Sequence, residues 1–229
     1  MGSGIRFFCK IVTLSLLPAV LVGCKQDEPE IKSNAVSKIT RDSRYQLALV
    51  SETRDELKSW FKFYSLDEEA DTLFRLREIW DTDQLTFLVS AGWQQLYKEH
   101  DELFIQSPDK SRVLDIYTYN REFKKQGSKK VTVRTINHDS EVAIVDPATH
   151  QKTRLIYCAD ACQFENAWWR NSDEIIVVGL IQEIGETELY PALWHINTYT
   201  NLVRQYTSLK PAQPDKKKYY LQDEVFDEL

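Results

Sequence analysis

Glycine and proline are scarce in this chain, seven of each among 229 residues, and methionine occurs once. That scarcity excludes a collagen-like or Gly/Pro-rich low-complexity polymer. The short motifs that announce common chemistries are missing as well. There is no Gly-x-Gly-x-x-Gly fingerprint, phosphate loop or EF-hand loop, and no Gly-x-Ser-x-Gly elbow for a serine nucleophile. The apolar stretch Ile11 to Val22, broken by Pro18, falls short of the roughly 20 residues a membrane-spanning helix needs. A surplus of positive charge is absent too. The net charge is −6, so the counterion release that drives nucleic-acid binding is not available, and no nucleic-acid partner is expected. His100, His138, His150 and His195 lack a His or Cys at metal-ligand spacing. No metal and no other cofactor is expected.

What is present begins at the N-terminus. Arg6 and Lys10 precede the short apolar stretch, which ends in Leu21-Val22-Gly23-Cys24. A positive start followed by a short apolar run reads as a signal peptide. Residues 21–24 resemble the lipobox of bacterial lipoproteins. The resemblance implies cleavage after residue 23 and a lipid-bearing Cys24 at the head of the mature protein. Two or more acyl chains anchor a protein stably where a single one does not, so the implied partner is a membrane, reached through the N-terminal lipid. Position +2 is Lys25 rather than Asp, which in the Gram-negative lipoprotein class implies sorting to the outer membrane. Cys24-Lys25-Gln26-Asp27-Glu28 is also similar to the export signal of surface lipoproteins in the Bacteroidetes. The expected location is therefore the outer membrane, with the protein facing either periplasm or cell surface.

Cleavage removes Arg6 and Lys10 and no acid, leaving a charge near −8 from the −6 of the full chain. The organisation expected is a leader over 1–23, a lipidated cysteine and flexible polar tether over 24–42, and one mostly β globular domain over 43–229. With 42 % hydrophobic residues, that domain can bury a sizeable core. Cys158 and Cys162 are the cysteines left in it. In an oxidising envelope they suit a local disulfide; free thiols or a redox or metal role are the alternatives, although the spacing is one residue longer than Cys-x-x-Cys.

Thr53 and Glu56 fit a capping box before a helix carrying Leu57, Trp60, Phe61 and Tyr64. Ser65 with Glu68 suggests a second cap. Thr72 to Trp80 reads as either strand or helix. From Leu85 onward the pattern turns β, with candidate strands at 85–90, 113–119, 131–137, 142–145, 155–157, 175–181, 193–196 and 203–207. Asp146-Pro147-Ala148-Thr149 and Asn197-Thr198-Tyr199-Thr200 are turn sequences with a mechanism, because Asp and Asn side chains accept hydrogen bonds from the backbone just ahead of them. Ser107-Pro108-Asp109 and Asn171-Ser172-Asp173 form a second echo. Residues 100–208 thereby resemble the blades of Tol-type and WD-repeat β-propellers. Two blades cannot close a ring of four to eight. The expected fold is mainly β: antiparallel blade-like or meander sheets, an incomplete propeller or a sandwich, with one or two N-terminal helices.

For chemistry, Asp81 with Asp83, or Glu165 with Asp173, could pair carboxylates for sugar hydrolysis, which depends on their separation in space. Trp168, Trp169 and Trp194 are candidate binding aromatics, able to stack on sugars or anchor a protein partner if exposed together. The leading expectation is a non-catalytic protein-binding or scaffolding module of the envelope. The alternatives are a surface glycan-binding lipoprotein and an envelope hydrolase.

Overall fold

From Lys32 to Glu56 the chain carries neither glycine nor proline, and those residues form one long helix, α1 (Lys32–Glu56). A computed structural model of the chain describes residues 32–66, 70–124, 131–183, 185, 187–213 and 219–228. The chain divides into units Met1–Ile39 and Thr40–Leu229. Of the first, only the opening turns of α1 are described. The leader over 1–23 and Cys24 lie outside the described residues. Of the expected tether over 24–42, residues 24–31 lie outside the described residues and residues 32–42 are helical as the start of α1: once a helix is nucleated each further residue adds a hydrogen bond at little cost, and no glycine or proline between Lys32 and Tyr45 interrupts it.

The expected capping box is also corrected. Thr53 lies buried inside α1, where its hydroxyl donates to the Leu49 carbonyl at 2.7 Å. The next helix, α2 (Lys58–Phe63), starts after Leu57 with no side-chain cap. The aromatic stripe itself is core: Leu57, Trp60, Phe61 and Tyr64 are buried. After α3 (Ala70–Leu73), the ambiguous stretch becomes a strand, β1 (Phe74–Asp81), followed by β2 (Leu85–Leu88).

Two meanders make the rest. The first sheet runs β1-β12-β11-β10-β9, with β9 (Cys162–Trp169), β10 (Glu174–Gln182), β11 (Leu189–Asn197) and β12 (Leu202–Ser208). The second runs β2-β8-β7-β4-β3, with β3 (Ile105–Gln106), β4 (Val113–Asp115), β7 (Ser140–Asp146) and β8 (Gln151–Cys158). A smaller sheet joins β13 (Phe226–Glu228), β6 (Val131–Thr135) and β5 (Arg121–Lys124). Only β13 with β6 is a parallel pair; the other described pairs are antiparallel. The fold is mainly β and antiparallel, and no sheet closes into a barrel. Each meander takes its fifth strand from the consecutive strands β1 and β2, which part to the edges of different sheets, β1 on β12 and β2 on β8.

The turns form as their sequences dictate. Asp146 accepts from the amides of Ala148 (2.8 Å) and Thr149 (3.2 Å). Asn197 accepts from Thr200 N, and Asn171 from the amides of Asp173 and Glu174. One helix has no counterpart in the sequence expectations: α4 (Ala91–Glu99), capped by Ser90, whose hydroxyl accepts from Trp93 N at 3.1 Å.

Strand β10 is the middle of the packing. Ile175 and Val177 join a core shared with the second sheet, while Ile176, Val178 and Leu180 join a core formed with α1 and α2. Full burial of each such side chain contributes about 1.5–3 kcal/mol. Gly179 allows β9 to bulge beside it, since a Cβ there would lie 2.0 Å from the Gln163 carbonyl oxygen. The extra residue in that bulge is Glu165.

Candidate functional site

The bulge puts Glu165 in the interior, fully buried. Its carboxylate accepts from Trp60 Nε1 at 2.8 Å, from the Tyr64 hydroxyl at 2.9 Å and from Gln163 Nε2 at 3.0 Å. Burial pushes this carboxyl up to about 7, although all three hydrogen bonds pull it down. The surroundings are neutral phenols. The Tyr117 hydroxyl donates to the Glu165 carbonyl at 2.9 Å, and Tyr220 N donates to the Tyr64 hydroxyl. Burial raises Tyr64 and Tyr117 far above the ordinary phenol range. Asp173, its suggested catalytic partner, sits in the exposed Asn171–Glu174 turn. The structure does not present the two as a pair at one surface. Asp81 and Asp83 are both exposed, flanking the β1–β2 connection.

A second polar cluster lies beneath α4. Asp115 accepts from Trp93 Nε1 (2.9 Å), Thr118 Oγ1 (2.6 Å) and Lys152 Nζ (2.9 Å). Lys152 also meets Glu141 at 2.8 Å, and Arg154 reaches the same carboxylate at 2.6 Å. Burial works against the charged form of Asp115, but the Lys152 ammonium and the hydrogen bonds outweigh it and hold the carboxyl below its ordinary value. Lys152 is likewise opposed by burial and held charged by Asp115 and Glu141. Each charge is paired, which is the condition under which buried ions persist.

His195 is buried, with Nδ1 3.2 Å from the Tyr45 hydroxyl and Nε2 3.5 Å from Glu174 Oε1. Burial lowers it to about 4, so the ring is neutral at physiological pH. Among the described residues no set of three His, Cys, Asp or Glu side chains is placed to hold a metal.

The candidate aromatics separate. Trp194 is buried against Phe164, with Nε1 donating to Gln205. Trp169 is buried beneath Arg112 and donates to the Ile105 carbonyl. The expectation that these two present a binding face is therefore corrected: they point between the sheets, the one place where a ring of that size adds most to the core. Trp168, on the opposite face of β9, is half-buried and lines a depression of about 540 Å³ with Glu52, Glu56, Arg170 and Glu174. Two other depressions, of about 420 and 470 Å³, lie beside Cys162 and beside α4. Cys158 and Cys162 are bonded to each other across the β8–β9 turn.

Among the described residues, five of the twelve large apolar or aromatic side chains left exposed lie on the two edge strands β1 and β2. Leu76 and Ile79 of β1 are 40 % and 54 % exposed, and Leu85, Phe87 and Leu88 of β2 are 53 %, 39 % and 71 % exposed. Among the described residues both strands are sheet edges, so backbone groups without a ladder partner accompany these side chains. Sequence reasoning missed this surface. The residues read as strand, but which strands lie at edges depends on pairings across more than sixty residues, Leu85 with Arg154 and Phe74 with Ser208. No family model, curated protein or solved structure matches the chain.

Proposed function

We propose that this chain is an envelope lipoprotein, held at the outer membrane through Cys24, whose mostly β unit binds protein partners without catalysing a reaction. The observation that carries the binding reading is the pair of edge strands β1 and β2, one at the edge of each five-stranded sheet, on which five large apolar side chains stand exposed. Exposed apolar side chains on an unpaired edge offer a partner both a backbone ladder and apolar contact. A glycan-binding surface calls for several tryptophans in one groove; of the three candidates Trp169 and Trp194 are buried, and only Trp168 is half-buried. The buried ionisable side chains Asp115, Glu141, Lys152 and Glu165 are ion-paired or hydrogen-bonded within the fold, which favours binding over hydrolysis. The anchor rests on residues 21–24 alone.

Two measurements test this reading. Cys24→Ala should move the full-length protein from the membrane pellet to the soluble fraction; continued sedimentation with membranes would overturn the anchor. A photoreactive phenylalanine analogue at Leu88, in intact cells, should give a discrete protein adduct that Phe87→Asp abolishes. The same probe at Tyr199, which is 83 % exposed in the β11–β12 turn, should give none. Equal labelling at both positions would refute a docking edge at β2.

A further inference from the structure

Strand β1 is an open edge with a fault in it. Opposite β12 its register shifts between Leu76 and Glu78, so Arg77 is an extra, bulged residue. On one side of the bulge, Leu209 N donates to the Leu73 carbonyl; on the other, Thr82 N donates to the Asn201 carbonyl. Backbone groups in an antiparallel ladder alternate between the partner strand and the open side. Counting from those two bonds, Arg75, Glu78 and Trp80 turn their amides toward β12. Phe74, Leu76, Ile79 and Asp81 turn theirs away from it. The Phe74 carbonyl already accepts from Gln46 Nε2, which leaves Leu76, Ile79 and Asp81 along the open edge.

The bulge changes what this edge can match. In a regular strand, residues 76 and 79 have opposite parity and cannot both face outward. Here they do, on either side of a point between Arg77 and Glu78. Their side chains also share a face of the sheet, because they lie opposite Tyr206 and Arg204, two apart on β12. Arg75 and Trp80, opposite Thr207 and Val203, share the other face.

We propose that β1 pairs antiparallel with β1 of a second copy of this chain, about a two-fold axis between Arg77 and Glu78, joining two five-stranded sheets into one of ten. The axis places Leu76 opposite Ile79 of the other copy, backbone to backbone, and puts two exposed apolar side chains in contact. It sets Arg77 beside Glu78 and Arg75 beside Trp80, a charge pair and a cation–aromatic pair, each occurring twice. Generic edge pairing is discouraged by charges and bulges. This edge, however, carries charges that oppose themselves only when the axis is elsewhere, and its bulge supplies the parity this axis needs. An interface in which the same patch serves both copies is the commonest form of closed association. Arg77 also meets Glu183 of its own chain at 2.9 Å, both side chains remaining exposed, so it can bridge two carboxylates. The proposal rests on and deepens the protein-binding reading of the edge strands by naming the occupant of one of them.

The test uses two differently tagged full-length copies in the same cells. Directly opposed residues of a hydrogen-bonded pair have Cα atoms about 5.5 Å apart, within disulfide span. Leu76→Cys in one copy and Ile79→Cys in the other should give an intermolecular disulfide, while Leu88→Cys with Ile79→Cys should not. Arg77→Glu or Glu78→Arg in both copies should lower the yield about tenfold, since like charges then face each other across the strands. The double reversal Arg77→Glu/Glu78→Arg should restore it. Equal yields from both cysteine pairs, or no restoration by the double reversal, would overturn the pairing. A Leu88 adduct to another protein without the 76–79 disulfide would overturn self-pairing and leave the protein-binding reading standing; absence of both would overturn both.

Discussion

Glu165 gives the sharpest test of the packing. Its folded carboxyl titrates near 7 against an ordinary 4.5, because burial disfavours the anion more than three hydrogen bonds favour it. Between those two values the folded protein retains a proton that the unfolded chain has released. Stability is therefore full below about 4.5 and falls as pH rises, by about 1.4 kcal/mol per unit. It levels off above 7 after a total loss of about 3 kcal/mol. Glu165→Gln keeps the shape and an accepting oxygen but cannot ionise. Its amide group would turn the Tyr64 hydroxyl into an acceptor, at some cost in acid. The assay is urea unfolding followed by tryptophan fluorescence at pH 5, 6, 7 and 8 for both proteins. Every other titrating group is common to the two, so their difference isolates Glu165: the wild type should lead in acid and lose that lead, or fall behind, by pH 8. A difference that stays constant from pH 5 to 8 would refute the reasoning, because it would mean water or a cation solvates the anion.

Three further outcomes follow from named contacts. Lys152→Met leaves Asp115 and Glu141 buried without the ammonium between them and should cost about 3–5 kcal/mol in the same unfolding assay at pH 7. Since Asp115 is held below its ordinary value, part of that loss should recover as acid protonates the freed carboxylate. Gly179→Ala forces a Cβ against the Gln163 carbonyl and should destabilise by at least about 2 kcal/mol, with disrupted β9 amides in hydrogen exchange; near-neutral stability would show that the bulge can move. Cys158→Ser with Cys162→Ser opens a loop of sequence separation four, for which the chain-entropy relation gives about 2 kcal/mol, read as a lower urea midpoint in the absence of reductant.

The sequence made hairpins legible wherever a turn carried its own chemistry. Asp146 and Asn197 announce their turns because the hydrogen bonds they accept are two or three residues away. The continuous apolar run at Ile175 likewise marks a strand covered on both faces. Features set by distant partners were not legible. Thr53 and Glu56 satisfy a cap pattern, yet α1 runs through Thr53 because Leu49 and Val50 pack on the first sheet. Ser90 caps a helix that its flanking strand-like residues conceal. Trp169 and Trp194 look the same as Trp168 until pairing decides which face is inward. Glu165 reads as one acid among 35 until a bulge, fixed by a glycine on the next strand, turns it into the interior.

The pairing of β1 with β12 also orders events in time. A ribosome finishes Phe74–Asp81 long before it reaches Leu202–Ser208, the segment that holds that strand on its inner side. Until then the first sheet lacks its edge and the α1–α2 core lacks Tyr206. Contacts this remote in sequence must close a long loop before they reward it, which slows folding. Chains arrested between Cys158 and Leu202 would therefore hold the partner strand of β2 but not that of β1, leaving Phe74–Asp81 without its sheet until the last hairpin is made.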